Sequence, residues 1–184
     1  MTKLVLTYGI IGGIIVSVGM GLGITFIPTG GTLGMAAGYL SMLIALASVF
    51  MGVKEYRDNI KGGVIRFWPA LGLGLSIAGI AGLFYVAAWE AYMYATNYTF
   101  FDTYIASTIE LMRASGKPAE EIAKFRTEMM AFKLQYANPL FRMLLTFTEI
   151  APVGLLVAIV SAALLRRSEF LPAKTMYKQA KRSA

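Results

Sequence analysis

The chain has 184 residues, 57% of them hydrophobic and 15% charged, with a formal net charge of +7 and a mean hydropathy of +0.63. Soluble domains carry nearer a quarter charged residues, so this composition excludes an ordinary water-soluble globule. The sequence holds no His and no Cys, which removes imidazole and thiolate metal ligands, an imidazole base near neutral pH and a thiol nucleophile.

The apolar residues fall in four blocks, each long enough to cross a hydrocarbon core of about 30 Å at about 1.5 Å per residue. The first span is expected over about Leu4–Ile27, ended by Pro28 and the run Thr29, Gly30, Gly31, Thr32. Its apolar stretch exceeds a signal peptide's and only Lys3 precedes it, so it reads as an uncleaved anchor. The second span is expected over about 33–53 and is followed by a charged loop with Lys54, Glu55, Arg57, Asp58, Lys61 and Arg66. The third runs over about 67–94, with Pro69 suited to a first helical turn.

Residues 97–140 are too polar to span and too patterned for a loose loop. Asp102 is expected to cap a helix reaching about Ser115, with Gly116 as its left-handed stop. Pro118 opens a second helix with Glu120 and Glu121 in its first turn, where acids suit the macrodipole. Along it Ile122, Phe125, Met129, Phe132 and Tyr136 form one apolar stripe, opposite Lys124, Arg126, Glu128 and Lys133. The stripe is either the inner face of a helical hairpin or a docking face for a partner protein or the outer lipid leaflet. Asn138 and Pro139 separate this hairpin from the fourth span, about 141–165, which Arg166 and Arg167 stop before a basic tail over 166–184. The fold class is therefore all-α: one polytopic membrane domain of four transmembrane helices, with an external helical hairpin between spans three and four.

Loop charges set the orientation. Lys3, the second loop and the tail bring eleven bases against three acids to one side, net +8; the other side is net −1. Both termini are thus expected in the cytoplasm of a bacterial inner membrane, with the hairpin outside. Trp68 marks the inner boundary, and Trp89, Tyr92, Tyr94 and Tyr98 the outer one. The bases hug membrane edges without a nucleic-acid-binding motif, so anionic lipid headgroups are the expected partners, contacted by Arg57, Lys61, Arg66, Arg166, Arg167, Lys174 and Lys178. A homo-oligomer or a protein partner stays open.

In lipid, helices associate through close approach and polar contacts. The expected seams are Gly9, Gly13, Ser17, Gly21 and Thr25 in span one, and Gly34, Gly38, Ser41, Ala45, Ser48 and Gly52 in span two. Span three offers two rival faces, Gly72/Ser76/Gly79 and Gly74/Ala78/Gly82; span four offers Ala151, Gly154, Ala158 and Ser161.

Ionisable residues within spans are functional suspects, and Glu90 and Glu149 qualify. Glu149 lies seventeen residues from Arg166, about 26 Å up its helix, and Glu90 twenty-four from Arg66, about 36 Å. Both are near the outer edge, about 10 Å apart in height, so they meet only if the helices slide or kink. Pro152 leaves the Thr148 carbonyl without its helical donor beside Glu149. A polar site of Glu90, Glu149, Thr148, Pro152 and Tyr92 is one expectation. Polar glue between spans three and four, with Glu90 exposed to water, is the other.

The strings LTYG (Leu6–Gly9), FMGVKEYRD (Phe50–Asp58), WEAYMY (Trp89–Tyr94) and NPLFRMLLTFTEIAPVGLL (Asn138–Leu156), in that order and spacing, resemble the bacterial membrane family called domain of unknown function 4199. The likeness covers nearly the whole chain. It implies four spans and directs attention to Glu55, Tyr56 and Arg57, to Trp89 and Glu90, and to Asn138, Pro139, Glu149 and Pro152. It implies no activity, so it assigns no catalytic or ligand-binding role. With no catalytic motif, metal site or cofactor motif in the sequence, the expectation is a structural or partner-binding membrane subunit, not an enzyme; the alternative is a small transporter or channel using the outer polar site.

Overall fold

The computed structural model describes residues 1–27 and 32–173. All its regular elements are helical: α1 (Thr2–Phe26), α2 (Thr32–Glu55) continued by a π-helical turn (Tyr56–Ile60), α3 (Phe67–Ala95), α4 (Phe100–Ala114), α5 (Ala119–Tyr136) and α6 (Pro139–Leu165). Four helices, α1, α2 with its π turn, α3 and α6, are long and apolar enough to cross a membrane. Their bounds extend the expected spans by a few residues at most, apart from the π turn, which carries the second one onward to Ile60. The expected turn at Pro28–Gly31, and the tail bases Lys174 and Lys178, lie outside the described residues.

Close approach decides how the spans pack, because burial from water is no driving force among lipid tails. A Cβ added to Gly13 would sit 2.4 Å from Phe84 Cγ, and one on Gly12 2.4 Å from Ser48 Oγ, so α1 presses a bare backbone edge onto α3 and α2. Of the two rival faces on α3, the Gly74/Ala78/Gly82 face wins: Gly74 meets Ala158, Gly154 meets Ala78, and Gly82 meets the Phe147 ring. Gly72 and Gly79 have nothing within 4 Å of an added Cβ.

The packing is uneven along the bundle. The last buried residue of α1 is Val16, and among the described side chains the first buried one of α2 is Met42. Beyond them, added Cβ atoms at Gly21, Gly23 and Gly38 would meet nothing within 4 Å. Gly21 and Gly38 belong to the expected seams, yet they make none. α1 and α2 are thus tightly held at the terminal end, which bears Met1 and the end of α6, and part from α3 and α6 toward the hairpin end.

At the terminal end the π turn rotates Arg57 inward. The expectation that Arg57 contacts lipid headgroups is corrected: it is fully buried. Its Nη1 donates to Phe170 O at 2.8 Å, Nη2 to Leu171 O at 2.5 Å, and Nε to Asp58 Oδ1 at 2.6 Å. The last carbonyls of a helix have no intrahelical donor and carry the negative end of its dipole, so a cation is well placed beside the end of α6. Lys54 completes the cluster, 2.5 Å from Asp58, and Tyr8 donates to Glu55 across from α1. Lys61, Arg66, Arg166 and Arg167 are exposed at this end.

At the other end, Asn97 and Tyr98 adopt positive φ (50° and 58°), a left-handed pair that reverses the chain between α3 and α4. Asp102 does not cap α4, whose N-cap is Thr99; it pairs instead with Lys133 of α5 at 2.5 Å. Gly116 does supply the left-handed stop, at φ 70°. Asn138 caps α6, its side chain accepting from Leu140 N at 2.9 Å, with Pro139 in the first turn. The α5 stripe faces inward: Tyr136 is buried, and Met129 and Phe132 pack with Phe101 and Ile105 of α4 and Met93 of α3.

The contrast between seam and open glycines is testable. Gly13→Ile forces a β-branched side chain into Phe84 and is expected to destabilise by about 1–3 kcal/mol, whereas Gly21→Ile is expected to be nearly neutral. Thermal unfolding of the two variants in one detergent measures both.

Candidate functional site: a lateral cleft below the hairpin

α3 and α6 carry two polar cross-links at different heights. At the upper one Arg142 forms a bidentate pair with Glu90, Nε–Oε1 2.6 Å and Nη2–Oε2 2.5 Å. Nη1 donates to Tyr136 O at 3.2 Å, and the guanidinium lies 5.1 Å from the Tyr98 ring and 5.8 Å from that of Tyr136. Arg142 is only 3% exposed. The fork geometry satisfies both carboxylate oxygens, and the ring faces shield the cation. Nearer the terminal end, Tyr85 donates to Glu149 Oε2 at 3.0 Å.

Below the hairpin, where α1 and α2 part from the bundle, lies a cleft of about 930 Å³. The tips of α1 and α2 line one wall with Gly19, Gly23 and Gly38, and α3 and α6 supply Tyr85, Glu149 and Leu145. The hairpin contributes an aromatic roof of Phe100, Tyr104, Phe132 and Tyr136 beside Trp89. These rings hold one another: Trp89 meets Phe100 edge-on at 4.9 Å, Phe100 and Tyr104 stack at 6.2 Å, and Trp89 Nε1 donates to Tyr136 Oη at 2.6 Å. Tyr136 lies outside the spans, and its burial pushes its phenol above the usual range, so it stays neutral.

A mostly apolar concavity with a few convergent polar groups is the usual form of a small-molecule site, and its size is within the roughly 300–1,000 Å³ of such sites. Among the described residues no group of three or more acidic side chains could hold a metal ion.

The family model described as Protein of unknown function (DUF4199) matches residues 7–167. The chain belongs to this family. It matches no curated protein and no solved structure. The DUF4199 match runs through both polar cross-links and the α1–α2 wall of the cleft.

In this DUF4199 chain the five residues expected to form one polar site do not come together. Glu149 lines the cleft and, like Thr148, is exposed. Glu90 is neither paired with Glu149 nor open to water; its side chain is 18% exposed and committed to Arg142. The Thr148 hydroxyl turns back to Leu145 O at 2.6 Å, on the exposed side of α6. Pro152 is also exposed, and α6 continues through it from Pro139 to Leu165. Tyr92 stacks at a tilt on Trp89, 5.6 Å away, outside the cleft lining. The sequence reading missed Tyr85 and the pairing role of Arg142. Height would have found both: Arg142 is twenty-four residues from Arg166, as Glu90 is from Arg66, and Tyr85 is nineteen from Arg66 against seventeen for Glu149.

The upper cross-link predicts strong coupling. Arg142→Met leaves the half-buried Glu90 without its cation and is expected to cost about 2–3 kcal/mol, while the double variant Arg142→Met/Glu90→Gln recovers most of that loss. A double-mutant cycle of thermal stability in detergent reads the interaction directly.

Proposed function

We propose that this DUF4199 protein is a ligand-binding accessory subunit of a bacterial inner membrane, not an enzyme, and that it holds an amphiphile or other apolar ligand drawn sideways from the lipid into the cleft. The observation that carries this reading is the cleft itself: an aromatic-roofed space of about 930 Å³ between helices packed tightly elsewhere. The same Glu149 would serve a transporter, but Val16, Leu46, Val49 and Ile77, each fully buried, fill the bundle between the cleft and the terminal end. Binding is therefore favoured over passage.

The orientation belongs to the same proposal. Exposed Lys61, Arg66, Arg166 and Arg167 cluster at the terminal end, where they suit the anionic headgroups of a cytoplasmic leaflet. The cleft then lies in the outer half of the membrane.

Two experiments test this. Gly23→Phe and Gly38→Phe place rings into the cleft from positions where an added Cβ meets nothing. They are expected to cut labelling of the cleft by a neutral photoreactive lipid at least fivefold with little change in melting temperature; undiminished labelling would refute the site. Because the chain has no native Cys, single-cysteine variants report topology cleanly. Lys117→Cys should react with a membrane-impermeant maleimide in intact cells and Lys61→Cys only after permeabilisation; the reverse pattern would invert the orientation.

A further inference from the structure

Glu149 is an unusual wall group for an apolar cleft. Its Oε2 accepts from Tyr85 at 3.0 Å, and no cation of the described residues forms an ion pair with it. Among the described residues no Lys or Arg lines the cleft. The cation on the same helix, Arg142, is seven residues away, about 10 Å along the axis, and spends its Nε–Nη2 edge on Glu90 and its Nη1 on the Tyr136 carbonyl. A carboxylate facing apolar surroundings is costly unless a counter-charge meets it.

The roof adds a second, independent preference. Trp89, Phe100, Tyr104 and Tyr136 line the cleft, and aromatic faces attract cations, quaternary ammonium groups above all. A fatty acid would bring a second carboxylate toward Glu149. A zwitterionic phospholipid would bring a phosphate for which the lining offers no basic partner.

We propose that the cleft is selective for cationic amphiphiles, molecules with an alkyl tail and an ammonium head, with Glu149 as counter-ion, Tyr85 orienting its carboxylate and the aromatic roof covering the head. This rests on the reading of the cleft as a ligand site and adds the chemical class of the ligand. Binding is non-covalent, and the tail lies along the apolar wall formed by Met20, Gly23 and Gly38.

The test uses the full chain in phosphatidylcholine nanodiscs and a diazirine-bearing long-chain alcohol as neutral photoprobe. Mass spectrometry compares labelling of cleft peptides with labelling around Leu83, which faces away from the bundle at 64% exposure. Dodecyltrimethylammonium, dodecanol and dodecanoate serve as competitors. The expected result is that the ammonium compound displaces the probe from the cleft at concentrations at least tenfold lower than the other two. Glu149→Gln should abolish that advantage while retaining labelling by the neutral probe. If that variant does not fold, Glu149→Asp, which withdraws the charge by one methylene, should lower the advantage at least threefold. Equal potency of the three competitors, superiority of dodecanoate, or an ammonium preference undiminished by the substitution would overturn the selectivity and leave the cleft as a ligand site. Failure of the neutral probe to enrich in cleft peptides would overturn the ligand-site reading itself, and the selectivity with it.

Discussion

Two charges placed near the end of an apolar helix pair have few ways to be satisfied, and Glu90 and Arg142 use each other. Their bidentate contact ties α3 to α6 at one height, since sliding either helix by one residue, about 1.5 Å, breaks the fork. With that register set, Tyr85 stands opposite Glu149, Gly74 opposite Ala158 and Gly154 opposite Ala78. The Tyr98 and Tyr136 rings over the guanidinium then attach the hairpin to the same point. One ion pair thus positions the pillar of the bundle, the polar wall of the cleft and its roof.

A second fastening works at the opposite end. Arg57 is held by Asp58 and reaches the carbonyls that follow α6, so the end of α2 is clamped to the end of α6. Between these fastenings α1 and α2 follow the bundle only as far as glycines and small residues permit close approach. Past Val16 and Met42 they still meet each other, Gly19 against Ser41, but Gly21, Gly23 and Gly38 meet no neighbour, and the cleft is the space that results. Tight packing near the termini and an opening near the hairpin are two consequences of where the small residues find partners.

Much of this was legible in the chain. The four spans, the hairpin, the Gly116 stop and the inward stripe of α5 follow from length, periodicity and turn residues, each a property of one element. The residue heights of Glu90 and Arg142 match when counted from Arg66 and Arg166, so the ion pair was also within reach of simple arithmetic; attention to carboxylates alone hid it. Arg57 was not legible, because an α-helical continuation and a π turn give the same residues different faces. Nor was the choice between the two glycine faces of α3, which have the same spacing. The cleft depends on four elements at once: Gly38 looks like a seam residue until the neighbouring helices are seen to stand apart from it.

The central claim is that the bundle is closed at one end and open at the other, with Glu149 on the wall of the opening. An experimental structure of the protein in a lipid nanodisc tests it most directly. The account predicts α1 and α2 parted from α3 and α6 beyond Val16 and Met42, with density for an elongated apolar molecule between Gly23, Gly38 and Leu145 and its head near Glu149. Tips of α1 and α2 pressed against α3 and α6, with Glu149 enclosed among protein side chains and no space beside it, would contradict it.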